Sequence, residues 1–254
     1  MSLRFEKGRH RYYLDGERVP GVTTVLGDDG LPKPHLKRWG ERIVAEAAWK
    51  HREAVMAMSE REAVDFLKRA PYRILSEKAA LGTAVHAATA RYVRGDSAPS
   101  EGLSDGAYGY FNAALRYLKE QRVEVLLSEC MVYSRQHRYA GTLDLQILAR
   151  RRALDLAPVE INDFKTSKAV YPDVALQLVA YARAEMVVVD DHEQPMTPTN
   201  RGLIVRLDPS GEYEAVPAEL SDDVWETFLH ARGLYEWKHE ISPTVLGEPL
   251  RMAA

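Results

Sequence analysis

A chain of 254 residues, 46% hydrophobic and 28% charged, has the make-up of an ordinary globular protein. No apolar run reaches about 18 residues, which excludes a transmembrane helix. The 34 Lys and Arg against 37 Asp and Glu leave a formal charge of −3, without the basic excess common in nucleic-acid-binding domains.

Charge is a weak test of DNA binding, because a basic groove can coexist with clustered acids elsewhere. Cys130 is the only cysteine. An internal disulfide, a cysteine-rich zinc site and a four-cysteine iron–sulfur cluster are therefore excluded within one chain. The opening "MSLRFEKGRHRYY" lacks the apolar core of a secretory signal. A cytoplasmic location with no membrane partner is expected.

The predicted elements begin with "RYYLDGERVPGVTTVL", read as a hairpin turning at Asp15-Gly16. After "LPKP", one amphipathic helix is predicted over His35–Val55. Further helices are predicted at Ser59–Lys68, Glu77–Arg94 and Asp105–Gln121, with a Gly-, Ser- and Pro-rich surface loop at Arg94–Gly106. The period then shortens. Val123–Ser134, Tyr139–Ala149 and Ala157–Lys165 read as three successive strands, joined by the turns at 135–138 and 151–156. A helix at Pro172–Met186, a strand pair within Gly202–Val216 and a helix at Ser221–His239 complete the chain. The order predicts an α/β fold with a central mixed sheet flanked by helices, and a helical N-terminal half preceded by a β-hairpin.

The segment "VEINDFKTSK" poses the chemical question. A strand that starts apolar ends with Asp163 and Lys165, two residues apart and so on one face. They are either a plain ion pair or the start of a site. A second match, Glu236–Lys238, falls in an exposed helical stretch, so the pattern alone carries little weight.

Company separates the two matches. Asp144 sits mid-strand, with Leu143, Leu145 and Ile147 expected on the opposite face. It is either an acid at a wet sheet edge or a residue with a partner. Gly141 before it suggests a bend or a close backbone approach. Were the strands neighbours, Asp144 and Asp163 would converge. Two such carboxylates repel unless a cation lies between them, and oxygen donors suit Mg²⁺ or Mn²⁺. Glu129 is a further acid in a strand-like run. Gln177 and Tyr181 share a face of an otherwise apolar helix. Ala79, Gly82, Thr83, His86 and Ala90 form a stripe of mostly small residues, on which His86 is the one large polar group and a possible-ligand imidazole.

Taken in order, "GTAVH" (Gly82–His86), "SE" with Glu129, "GTLD" (Gly141–Asp144), "DFK" (Asp163–Lys165) and "QLVAY" (Gln177–Tyr181) resemble the PD-(D/E)xK nuclease superfamily. The match is to its RecB-like exonuclease group, and it spans roughly residues 80–185. "VPGVTTVL" and "PKPHLKRWG" are similar to the start of phage-encoded members. The resemblance implies a single nuclease domain over 1–254, with 1–76 a hairpin and helical extension and 77–240 the core.

It further implies that Asp144, Asp163, His86 and the Phe164 carbonyl hold Mg²⁺ or Mn²⁺. Lys165 would be the catalytic lysine and Glu129 an accessory acid. Gln177, Tyr181, Thr83, Arg138 and Lys168 would orient the site or hold DNA. The implied activity is exonucleolytic hydrolysis of DNA ends in phage or bacterial recombination or repair, beside a recombinase or single-strand annealing protein. An endonuclease of the same fold and an inert DNA-binding subunit are the alternatives. Some relatives carry an iron–sulfur cluster; a chain with Cys130 alone does not. It also lacks the phosphate-binding loop of a helicase motor. Trp39 is either a base-stacking or a core residue. Arg135, His137 and Arg138 are placed to meet phosphates, and Arg150, Arg151 and Arg152 are expected in a solvated loop.

Overall fold

The computed structural model describes residues 2–27, 31, 33–149 and 158–248. Arg150 to Arg152 and the turn at 151–156 lie outside the described residues. The chain opens with β1 (Leu3–Glu6), β2 (Arg11–Leu14) and β3 (Glu17–Val19), an antiparallel sheet in the order β1-β2-β3. The expected hairpin is its β2–β3 half. Asp15 and Gly16 hold φ of 53° and 86°, the left-handed pair that a tight two-residue turn requires. β1 is too short to show an alternation in sequence.

The helices follow as α1 (Val22–Val25), α2 (Pro34–Lys50), α3 (Arg52–Met56), α4 (Glu60–Lys68), α5 (Ala70–Val93) and α6 (Asp105–Glu120). Three expectations need correction. The helix predicted over 35–55 breaks at His51, whose backbone (φ −109°, ψ 21°) leaves the helical region. The helix predicted from Glu77 starts at Ala70, because Pro71 falls in the first turn, where a missing N–H costs nothing. The helix predicted to Met186 stops at Ala182, since the β-branched run after it pairs with a strand instead. The α4 start is a capping box, with Glu62 N–H donating to Ser59 Oγ and Ser59 N–H donating to Glu62 Oε2.

The main sheet has seven strands: β4 (Glu124–Ser134), β5 (Tyr139–Leu148), β6 (Val159–Lys165), β7 (Met186–Val189), β8 (His192–Pro195), β9 (Arg201–Leu207) and β10 (Tyr213–Glu219). Their order is β10-β9-β6-β5-β4-β7-β8. Among the described residues, β6 and β9 are the one parallel strand pair of this sheet, which makes it mixed. The β7–β8 hairpin was not legible in the sequence. α7 (Asp173–Ala182) and α8 (Asp222–Glu236) pack with α1 on one face, over Leu143, Ile161, Leu178, Ile204 and Phe228. α5 and α6 cover the other, over Val85, Tyr117, Ile147, Phe164 and Val205. Each fully buried side chain of this size contributes about 1.5–3 kcal/mol. That burial, on both faces, holds charged residues of β5 and β6 where local preference would not.

The expected meander is present, and its register does the positioning. Leu145 lies opposite Asn162, so the next step along the same register sets Asp144 beside Asp163. Leu145 and Cys130 flank the level at which Asp144 faces Glu129, because Ser128 pairs with Leu145 and Cys130 with Leu143. Here the simple alternation fails. Leu143 joins the α7 core, whereas Leu145 and Ile147 join the α5–α6 core. The switch coincides with Glu129, which holds φ 52° inside β4, a left-handed conformation rare for a side chain other than glycine. The small sheet sits on β4, β5 and β7 through Leu3, Tyr12, Leu14 and Val19 against Tyr133, Ala140 and Val188. Ala140 N–H donates to the Pro20 carbonyl at 3.1 Å and fixes the entry.

Candidate functional site

A cleft of about 870 Å³ lies between α5, the small sheet and the region where β4, β5 and β6 bring their acids together. The α5 stripe faces it: Ala79, Gly82, Thr83, His86 and Ala90 all line the cleft. Glu129, Asp144, Asp163, Lys165, Gln177 and Tyr181 line it too. Residues spread over about 100 positions of sequence thus meet in one place.

They form two groups. In the first, His86, Glu129 and Asp144 each offer a ligand atom, and all three atoms lie within 4.8 Å of one another. His86 Nδ1 is 3.2 Å from Asp144 Oδ1 and 3.4 Å from Glu129 Oε1. Its Nε2 lies 3.1 Å from the Phe164 carbonyl. Asp144 Oδ2 accepts the Phe164 N–H at 2.7 Å, which locks β5 to β6 at this level. In the second group, the Lys165 ammonium stands 2.6 Å from Asp163 Oδ2 and donates to Gln177 Oε1 at 3.2 Å. Gln177 Nε2 donates to Asp163 Oδ1 at 2.9 Å and to the Tyr181 hydroxyl at 3.2 Å. Lysine has only donors, so it fixes which end of the Gln177 amide is oxygen.

The electrostatics follow from burial and neighbours. Burial pushes the Asp163 carboxyl up to about 6; Lys165 opposes this and Asp144 adds to it. Burial would lower the His86 pKa, but Asp144 and Glu129 outweigh it and raise the imidazole well above its ordinary value. Burial would raise Asp144, but the His86 cation lowers it overall. Lys165 is likewise raised: burial alone would lower it, and Asp163 and Asp144 hold it as a cation. Burial, with Asp163 and Asp144 nearby, raises Tyr181 well above the usual phenol range, so it stays neutral.

The donor set fits a hard divalent cation. It comprises three carboxylates, one imidazole and a main-chain carbonyl, and no thiolate. Asp163 Oδ2 is fully buried and has the Lys165 ammonium 2.6 Å away as its counter-charge. Among the described residues, the group within 4.8 Å is His86, Glu129 and Asp144; the Asp163 carboxylate turns to Lys165 and Gln177 instead.

Two expected DNA contacts fall elsewhere. Arg138 is absent from the cleft lining; it sits in the β4–β5 turn with φ 50° and donates to Glu17 at 2.6 Å. Lys168 is exposed three residues beyond β6 and is not part of the lining. Arg135 pairs with Asp15 on the same outer edge. Trp39 is half-buried beneath the Lys78 ammonium, 5.9 Å from its ring centre. In compensation, the small sheet supplies a wall that sequence reasoning missed. Tyr12, Phe5 and His10 line the cleft, and the Tyr12 hydroxyl bonds Thr142 Oγ1 at 3.0 Å. That contact spans 130 residues and has no local signature.

Gly141 explains itself in the same cleft. A Cβ there would lie 2.5 Å from Tyr181 Cε1, so only glycine lets the tyrosine ring reach the site. Among the described residues, no helix is long and apolar enough to cross a membrane. The chain matches no protein-family model, and no curated protein matches it in sequence.

Proposed function

We propose that this protein is a Mg²⁺- or Mn²⁺-dependent deoxyribonuclease that hydrolyses phosphodiester bonds at DNA ends. The observation that carries the reading is the juxtaposition, in one cleft, of the His86–Glu129–Asp144 group with the Asp163–Lys165 pair. Asp144, Asp163, Glu129, His86 and the Phe164 carbonyl would hold the ion. When bound, it supplies positive charge to the scissile phosphate and a more acidic water.

The remaining chemistry belongs to the side chains. Lys165 is a cation held in place by Asp163 and Gln177. A fixed ammonium is worth most where negative charge grows on the phosphate oxygens in the transition state. Gln177 bridges Lys165, Asp163 and Tyr181, so it keeps both charges in register. Tyr181 accepts from Gln177, which leaves its own O–H as a donor at the cleft wall. A role in phage or bacterial recombination or repair, alongside a recombinase or annealing protein, and a cytoplasmic setting belong to the same proposal.

The test is digestion of end-labelled linear DNA and covalently closed circular DNA in Mg²⁺, Mn²⁺ and EDTA, with Lys165→Ala alongside. Loss of linear DNA alone, dependent on metal and reduced about 10²–10³-fold by the substitution, is expected. Cutting of closed circles would move the assignment to an endonuclease. Absence of cleavage by a folded protein that still binds DNA would refute the catalytic claim.

A further inference from the structure

The small N-terminal sheet presents aromatic rings to the cleft that the hydrolytic chemistry does not use. Phe5, His10 and Tyr12 form one cluster: Phe5 and Tyr12 ring centres are 4.7 Å apart, and Phe5 and His10 are 5.1 Å apart at 88°. They differ in exposure. Tyr12 is buried, Phe5 half-buried and His10 exposed. Tyr12 is thus the anchor, bonded to Thr142 two residues before Asp144. Phe5 and His10 are the presented rings. His10, immediately before β2, holds φ 50°, in the left-handed region that histidine enters more readily than most side chains.

The α5 side of the same cleft offers little bulk. Ala79, Gly82, Thr83, Ala87 and Ala90 leave width between the helix and the rings. Arg91 in α5 and Arg94 at its C-terminal end complete the picture. Arg91 lies five residues and Arg94 eight residues beyond His86, about 7.5 Å and 12 Å along the helix. Both line the cleft. Arg91 is held by the Pro99 and Glu101 carbonyls, which position its guanidinium without neutralising it.

We infer that Phe5 and His10 form a nucleobase-stacking subsite, and that the cleft takes an unpaired strand rather than an intact duplex. The inference rests on the nuclease reading and names its substrate. Aromatic faces accept any base, and spaced cations follow the backbone, which is the recognition chemistry of single strands. A cleft of about 870 Å³, walled by the small sheet on one side and α5 on the other, has room for a few nucleotides.

The experiment measures fluorescence anisotropy of a labelled oligothymidylate, an abasic strand of equal length and a blunt duplex. Binding is compared for the wild type, Phe5→Ala with His10→Ala, and Phe5→Trp, all in Ca²⁺ to limit cleavage. Circular dichroism and Mn²⁺ affinity serve as checks that fold and ion site are intact. The wild type is expected to bind the oligothymidylate at least about 10-fold more tightly than the duplex. The double substitution should weaken oligothymidylate binding by about 5- to 150-fold, leave abasic binding unchanged, and leave Mn²⁺ binding unchanged. Phe5→Trp should bind at least as well as the wild type. Equal oligothymidylate binding by the wild type and the double variant, or equal wild-type binding of oligothymidylate and abasic strand, would overturn the subsite while leaving the nuclease reading standing. Duplex binding as tight as single-strand binding would overturn the unpaired-strand claim. A wild type that binds Mn²⁺ but no DNA would overturn both readings together.

Discussion

Gly141→Ala tests the link between backbone geometry and site assembly. The new Cβ would sit 2.5 Å from Tyr181 Cε1, where ordinary contact begins near 3.4 Å, so the ring must retreat by about 0.9 Å. It has little room. Tyr181 is 3% exposed, and Val22, the other neighbour at 3.3 Å, is 1% exposed. Overpacking of this kind costs about 1–3 kcal/mol. At about 2–4 °C per kcal/mol for a chain of this size, the melting temperature should fall by roughly 2–12 °C. Activity should fall further than stability explains, because the displaced hydroxyl leaves Gln177, which aligns Asp163 and Lys165.

The assay is a double-mutant cycle on melting temperature with Tyr181→Leu. Leucine lacks the clashing ring atom, so the pair should recover about 1–3 kcal/mol relative to the sum of the single effects. A Gly141→Ala protein that melts within a degree of the wild type would refute the steric account. So would strict additivity with Tyr181→Leu.

Other outcomes follow from the same geometry. The folded, metal-free protein holds protons on Asp163 and His86 more tightly than the unfolded chain does. For Asp163, this contribution to stability fades as pH rises from the ordinary carboxylate range through about 6. For His86, it is complete below about 6.5 and lost only above that value. Metal affinity should therefore climb with pH through 6 and beyond, with proton release on Mn²⁺ binding seen by calorimetry in buffers of different ionisation heat. A pH-independent affinity would show that these groups do not meet the ion. Asp144→Asn should return the His86 pKa toward its ordinary value, read by imidazole NMR, since Asp144 is the main charge holding it up. An unmoved His86 titration would contradict the pairing. Gly109→Ala should destabilise strongly in thermal melts, because its Cβ would lie 1.8 Å from the Pro209 carbonyl oxygen, a backbone atom that cannot swing aside. An unchanged melting curve would mean that α6 and the β9–β10 turn are not in contact.

Much of the architecture was legible because period and punctuation are local properties. The three-strand meander, the α6 helix and the β9–β10 pair were all readable from alternation, helical spacing and turn residues. Some element ends were not. α5 starts at Ala70 rather than at Glu77, with Pro71 in its first turn, and the Val187–Val189 run pairs with the edge of β4. Neither fact is visible within a few residues of the position concerned.

The site divides in the same way. The sequence by itself determined which residues could do chemistry: acids placed mid-strand in β5 and β6, a lysine two residues after Asp163, a histidine on a small-residue stripe and a glutamine beside a tyrosine. Their types and spacing are fixed by helical and strand periodicity. Tertiary structure decided which of them meet. β5–β6 register set Asp144 beside Asp163, and the left-handed turn at Glu129 accompanies the change of face that brings Asp144 toward His86. Packing of the first strands onto β5 brought Tyr12 to Thr142 and aromatic rings to the cleft, while Glu17 held Arg138 on the outer edge. Those outcomes depend on contacts spanning from about 20 to more than 100 residues, whose cost in chain entropy is met only when the whole core is buried.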